Sequence, residues 1–498
     1  MSCDVVWFKR DLRLRDHRPL RRALERGPVI CLYIYDPVVL ESEEFGVSDL
    51  RFINQCLEAL ERSLRARGGA LVTRVGKVVS VLQSLHREVG IERLWSHEET
   101  GSFATYERDK AVARWASSLG VEWVEIPQFG VFRPHGDRDG WAHRWRKRMA
   151  LPVVEAPARI DVVDGVDSHG LCGADRLGVW GSPKPDALKG GESRAWDLLE
   201  GFLGERGQGY RWAMSKPGPS RDSCSRLSPY LAHGAISMRA TYQRLKAVRE
   251  ELKRQPQRED HQGWSKSLSS FESRLWWHCH FIQKLEDEPE LEFRNMSRAY
   301  DGMRREVGDP SRLKAWKAGE TGYPMIDACI KELHRSGWIT FRMRAMLVSF
   351  ASYHLWLHWR QTGPYLGRHF LDFEPGIHWP QMQMQSGTTG INAIRIYNPI
   401  KQGEEHDAEG NYVKDLLPAL KRVPVEFVHA PWRMTARMQE AFGCVIGVDY
   451  PAPIVGHKLA YHRAKERVWA VKESRQAKAE AKRVYARHGS RRRSRWGG

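Results

Sequence analysis

The sequence predicts an α/β domain with a doubly wound parallel sheet, followed by a larger all-α domain. Three observations carry this. The first ~130 residues alternate short apolar runs with amphipathic segments, residues 131–190 lose that rhythm amid Gly, Pro and Asp, and the spacing from 191 onward is helical.

Residues 4–8, 29–35, 70–75, 93–96 and 121–126 read as strands, and 19–26, 48–67, 78–89 and 104–119 as the helices between them. Strands that alternate with helices imply parallel pairing with both faces covered. No G-x-G-x-x-G follows the first strand, so a nicotinamide-type Rossmann reading lacks its fingerprint. Residues 131–190 form an interdomain connector. Beyond them the clearest helical stretches are 193–203, 237–252, 265–284, 323–336 and 342–361. This divides the chain into 1–130, 131–190, 191–472 and a basic tail at 473–498. The tail carries nine Lys/Arg against two Glu and ends RRRSRWGG; its first part is able to continue a helix.

At 498 residues the chain is too long for one ordinary core. No apolar run approaches the ~20 residues that cross a bilayer, and the charged start lacks a signal-peptide core. The eight cysteines are scattered without a C-x-x-C pair, which speaks against zinc and disulfide frameworks and fits a reducing compartment, the cytoplasm. Lys and Arg outnumber Asp and Glu by 79 to 61, a formal charge of +18. Such a field attracts nucleic acid first, a general bias towards solubility being the alternative. Twenty Trp are core material that can also stack on bases or lose an electron.

Four blocks then fall in one order: VVWFKRDLRLRDHRPL at 5–20, SRLSPYLAHG at 225–234, TGYPMIDACIKELHRSGWITFRMR at 321–344 and IRIYNPIKQGEEHDAEGNYVKDLLPAL at 394–420. Together they resemble the DNA photolyase and cryptochrome family. The resemblance implies FAD in the helical domain, DNA with UV-induced pyrimidine dimers as partner, a monomer off the membrane, and blue-light electron transfer to a flipped-out lesion. A cryptochrome-type photoreceptor without repair is the alternative it leaves open.

Residue by residue, the family places the FAD pyrophosphate at Cys224, Ser225, Arg226, Leu227 and Ser228, where hydroxyls and free N–H groups at a helix entrance suit an anion; a Ser N-cap is the plainer reading. Tyr210 matches a Tyr packed on the cofactor, and His278 also falls in the cofactor set. Trp338, Arg342 and Arg344 match the helix beneath the flavin, and Arg344 is the expected partner of Asp372, a structural ion pair being the alternative. Glu374 stands at the spacing of a second acid near the flavin. His378 falls where the family faces flavin N5, usually with Asn.

On the DNA side the resemblance points to Lys216, Arg274, Trp277, Phe341, Arg342 and Gln402. Trp277 matches the Trp that stacks on the dimer, unless it is simply a buried core indole. Arg274 and Phe341 replace a Glu and an Asn of dimer-repairing members. Thr340, Phe341 and Ala345 lack the histidine of (6-4) repair. Trp359 fits the middle of the family's electron relay and Trp316 lies near its outer end. The flavin-proximal station reads Pro380 or Met382, so Trp356 and Trp379 are candidate substitutes in a slow or rerouted relay. The antenna of the α/β domain, folate or deazaflavin, stays open; Glu107 matches a folate-contacting Glu or is a surface helical residue. The lone C-terminal Cys444 excludes a four-Cys iron–sulfur cluster, and no metal is expected.

Overall fold

The computed structural model describes residues 3–133, 138–257 and 260–489. Strands β1 (Cys3–Phe8), β2 (Val29–Tyr35), β3 (Leu71–Val75), β4 (Ile91–His97) and β5 (Glu122–Ile126) form one parallel sheet in the order β3-β2-β1-β4-β5. Val5 of the central strand pairs with Ile30 on one side and Leu94 on the other. Their near-continuous apolar character follows from burial on both faces. Val6 and Phe8 join Leu20 of α1 (Arg18–Leu24) and Leu50, Ile53 and Leu57 of α2 (Val47–Arg65). Val5 and Trp7 meet Leu82 and Leu85 of α3 (Val78–Val89) and Val112 and Trp115 of α4 (Phe103–Leu119).

The connector is not structureless. Helix α5 (Trp141–Met149) buries Trp141, Trp145 and Met149 at a spacing of four, a periodicity already present in WAHRWRKRM. After it come α6 (Glu192–Gly201), α7 (Ser228–Ala232), α8 (Met238–Lys253), α9 (His261–Asp287), α10 (Pro324–Ser336), α11 (Phe341–Ser349), α12 (Trp359–His369), α13 (Pro375–Ser386), α14 (Pro399–His406), α15 (His457–Lys472) and α16 (Arg475–His488). The continuous helix expected over 342–361 is two. A π-turn at Phe350–His354 and Trp356 at φ 58° break it, and His358 Nδ1 then caps α12 by accepting from Arg360 N at 3.1 Å. The basic tail also differs from a free arm as far as residue 489. Helix α16 is docked through Val484 and through His488, whose Nε2 lies 2.7 Å from Glu288. The RRRSRWGG end lies outside the described residues.

The two domains share one core, and residues 9–16 tie them together. Arg13 donates to Gly234 O at 2.9 Å, Asp16 receives Arg239 at 2.7 and 2.8 Å, and Glu192 accepts from Leu14 N and Arg15 N. Gly234 has φ 66°, and a Cβ there would stand 2.0 Å from Arg10 O, so only glycine lets these backbones meet. All eight cysteines are free and buried. No helix among the described residues is long and apolar enough to cross a membrane.

Candidate functional site

The site grows from a buried ion pair. Thr340 caps α11 by accepting from Met343 N, which sets Arg344 in the first turn. Its Nη1 and Nη2 donate to Asp372 Oδ1 and Oδ2, each at 2.9 Å, and its Nε donates to Ile339 O at 3.0 Å. This two-pronged geometry fixes the plane of both groups and satisfies the carboxylate.

Arg226 comes to the same neighbourhood. Its φ of 59° is sterically costly for a side chain with a Cβ, of order 1–3 kcal/mol, a cost that recurs at functional sites. The turn brings its guanidinium 4.2 Å from the Trp338 ring. Burial lowers its pKa against the pull of Glu332, Cys224 and Asp372, and its Nε is buried without a partner among the described residues. Ser225 Oγ accepts from Leu227 N at 3.4 Å, and neither Ser225 nor Ser228 acts as a side-chain N-cap, so that plainer reading is corrected. Cys224 is buried, its thiol pushed up to about 12, which makes it inert rather than nucleophilic. Tyr210 packs edge-on against Phe202 and lies near Phe271, its hydroxyl pushed up to about 12 by burial.

His378 donates from Nε2 to Gly363 O at 3.0 Å, which fixes its tautomer and leaves Nδ1 as an acceptor. Gly363 is required, since a Cβ there would sit 2.5 Å from the Trp379 ring. Burial holds the imidazole neutral down to about 4. His278 and His233 are likewise held neutral down to about 3 by burial and then by Arg10, against Asp372. Arg10 is the functional residue that sequence reasoning missed. It leaves the end of β1, donates to Ala232 O at 2.8 Å and pairs with Glu374 at 2.8 Å. Burial keeps the Glu374 carboxyl above its ordinary value although Arg10 pulls it down. The signal available was position: Arg10 stands inside the first of the four blocks.

Trp379 lies 4.9 Å from His378 and 6.0 Å from Trp359, whose indole donates to Asn295 Oδ1 at 2.8 Å. Both indoles are 1% exposed, with the Arg360 guanidinium 5.8 Å from each. Trp356 is half-buried between Arg304 and Arg467. Trp316 is fully buried near Tyr365, so it is no outer station at the surface.

Toward solvent, Arg274 reaches Met214 Sδ at 3.9 Å, and Trp277 follows one turn later, edge-on to Trp276 and beside Phe281. Phe341 is 54% exposed at the start of α11. Burial, Arg342 and Lys216 together depress the pKa of His406, so these cations converge at the end of α14. Gln402, one turn earlier, is only 6% exposed, with its Oε1 unpaired.

The residues present fit FAD. Arg226, whose Nε is buried and unpaired among the described residues, stands between Ser225 and Ser228 in the chain and suits a pyrophosphate, and the Arg344–Asp372 pair with His378 offers both donors and acceptors to a heterocycle. A cavity of 190 Å³ opens at the carboxyl ends of β1, β2 and β4, lined by Trp7, Lys9, Tyr33, Asp36, Glu99 and Arg108. Ligands of open α/β sheets bind at that edge. Glu107 is not part of it; it pairs on the surface with Lys110 at 2.5 Å, which corrects it to a surface helical residue. Asp11, His17 and His97 cluster as metal ligands do. Their atoms are engaged, however: both imidazoles donate to Asp11 Oδ2, and His17 Nδ1 accepts from Leu20 N.

Comparison with known proteins agrees with this geometry. Residues 4–136 match the family model of DNA photolyase, and residues 271–470 match the FAD binding domain of DNA photolyase. A deoxyribodipyrimidine photo-lyase of Streptomyces griseus is 29% identical over 93% of this chain and 98% of its own length. A cryptochrome DASH of Gloeobacter violaceus is 29% identical over 91% of this chain and 92% of its own. The crystal structure of a class III photolyase from Agrobacterium tumefaciens superposes with a TM-score of 0.83 at 26% identity, covering 95% of this chain and 98% of that one. The two family models matched in order, together with the sheet order and the helical domain that follows it, show that the chain belongs to the DNA photolyase and cryptochrome family.

Proposed function

We propose that the protein repairs cyclobutane pyrimidine dimers in DNA, driven by blue light. Bound reduced FAD supplies the electron that opens the dimer and takes it back afterwards. The observation that carries this reading is the convergence of Arg226, Trp338, His278 and His378 on the Arg344–Asp372 pair, next to a rim of Lys216, Arg274, Phe341 and Arg342.

The protein's own part is binding and orientation. Arg226, Ser225 and Ser228 hold the pyrophosphate, and the Arg344–Asp372 pair sets the plane of the ring system. His378, neutral above about pH 4, presents Nδ1 to it without adding charge. Lys216 and Arg342 take DNA phosphates, while Trp277 and Phe341 stack on the extruded bases, each worth ~1–3 kcal/mol. Arg274 stands where a carboxylate is usual and makes a charged contact of opposite sign to the lesion's surroundings. The buried Trp379–Trp359 pair stands in for the station lost at Pro380 or Met382 and would relay electrons from a reductant in solution toward a bound flavin. The cavity at the sheet edge takes an antenna, a planar heterocycle of the folate or deazaflavin kind, among Trp7, Tyr33 and Arg108.

A cryptochrome-type photoreceptor is the second reading, favoured by Arg274 and the exposed apolar Phe341 at the lesion-facing rim. Reduced protein given oligonucleotides with a cyclobutane dimer or a (6-4) photoproduct, lit and dark, separates the two. Light-dependent restoration of the cyclobutane dimer alone is expected. Restoration of neither lesion, with FAD bound and light-reducible, would transfer the assignment to the photoreceptor.

A further inference from the structure

We infer that the protein carries a second nucleic-acid subsite, a cationic and aromatic groove beside α15 that takes an unpaired nucleotide of a single strand. The groove has a volume of 550 Å³ and lies between residues 394–397 and α15, with Arg342, Arg395, Tyr397, Tyr461 and Trp469 in its walls. One wall is pinned. The Ser349 hydroxyl on α11 donates to Arg395 O and accepts from Tyr397 N, both at 3.1 Å. The other is seated by Ala464 and Val468, which pack against Tyr300 and Tyr353.

That seating leaves Tyr461, Lys465, Trp469 and Lys472, spaced by three and four, along one strip of α15. Lys465 and Lys472 stand 5.9 and 5.4 Å from the Trp469 ring, and Arg342 stands 5.8 Å from the Tyr397 ring. Each of these aromatic faces therefore has a cation beside it. Among the described residues no carboxylate lines the groove, and α15 holds five Lys/Arg against Glu466. Tyr461 is 36% exposed, an available stacking surface. Alternating stacking faces and cations match a strand of bases and phosphates. A duplex hides its base faces, so the match is to an unpaired nucleotide. An acidic peptide would engage the cations but leave Tyr461 and Trp469 without a stacking partner. The subsite needs no light and no lesion, and shares only Arg342 with the proposed repair site.

The test is binding in the dark by the purified flavoprotein to a labelled, undamaged oligothymidine at several salt concentrations, with a duplex of equal length as rival. The single strand is expected to bind more tightly. Tyr461→Ala with Trp469→Ala should weaken it about tenfold or more, whereas Tyr461→Phe with Trp469→Phe retains it. Arg395→Ala should flatten the log–log salt dependence by about 0.7, one phosphate on a single strand. Melting temperature and flavin absorbance verify that the variants fold. Equal binding of duplex and single strand overturns the proposal, as does single-strand binding that survives the double alanine substitution. Binding of labelled poly-glutamate, with no oligonucleotide bound, overturns it in favour of an acidic protein. Dimer repair measured alongside reports on the catalytic reading separately.

Discussion

Buried charge is handled in opposite ways in two neighbouring regions of this molecule. At the carboxyl edge of the sheet, Arg108 has Glu99 at 2.6 Å, Asp109 at 2.7 Å and Asp36 at 3.2 Å, and Lys9 has Asp109 at 3.2 Å. In that network each cation is met by carboxylates, which outnumber the two cations three to two. In the helical domain, among the described residues, Arg344 has a single carboxylate, and Arg226 has no direct ion pair and an unpaired Nε. Three surrounding histidines are held neutral. A desolvated cation without an anion is unfavourable unless something arrives to meet it. The contrast marks the sheet edge as charge that holds structure and the helical site as charge that waits for an anionic cofactor.

The largest effect should follow from breaking the Arg344–Asp372 pair. Asp372→Asn leaves Arg344 desolvated with half of its partner's acceptors, and Arg344→Met leaves a nearly buried carboxylate alone. Losing one partner of such a pair costs about 3–5 kcal/mol. Both variants should purify colourless and melt well below the parent, read by flavin absorbance and thermal unfolding. A yellow protein with unchanged melting would remove the pair from the centre of the site.

Arg226 and Arg108 sharpen the comparison, since both are buried arginines. Arg226→Leu should weaken FAD retention about 10- to 100-fold while leaving the apoprotein near its parent stability, because the charge it removes is already uncompensated. Arg108→Leu should do the reverse: flavin is kept, and several kcal/mol of stability are lost as Glu99, Asp109 and Asp36 are left facing one another. Equilibrium dialysis against FAD and denaturant unfolding of the apoproteins separate the two outcomes. Equal behaviour of the two variants would erase the distinction.

What was legible in the sequence follows the range of the forces involved. Strands came within a residue or two of their observed limits, because period and apolar runs are local signals. The Arg344–Asp372 pair was legible through the motif that carries it. The break at Trp356 was not, since LWLHW contains neither Gly nor Pro, and the Arg304 and Arg467 groups beside the Trp356 ring come from segments distant in the chain. Arg10 was missed because its partner Glu374 lies 364 residues away. Trp379 was one of two candidate relay substitutes, and only the three-dimensional approach to Trp359 distinguishes it from Trp356.

The smallest effect is a pH dependence, and its sign tests whether the helical site is kept free of extra positive charge. In the unfolded chain an imidazole takes its proton near pH 6.5. In the fold His378 does not do so until about 4, and His278 and His233 until about 3. Between those limits the unfolded state binds more protons, so stability must rise with pH and fall as the solution is acidified from 7 towards 4. Other buried groups titrate in the same window, so the informative quantity is a difference. His378→Gln keeps a donor for Gly363 O but cannot be protonated. Its loss of stability between pH 7 and pH 5 should therefore be smaller than the parent's, by about 1–2 kcal/mol. Parallel curves for parent and variant would mean that His378 takes its proton at the same pH folded and unfolded, near 6.5. Mild acid would then place a further cation beside Arg344, and the helical site would not be kept free of extra positive charge.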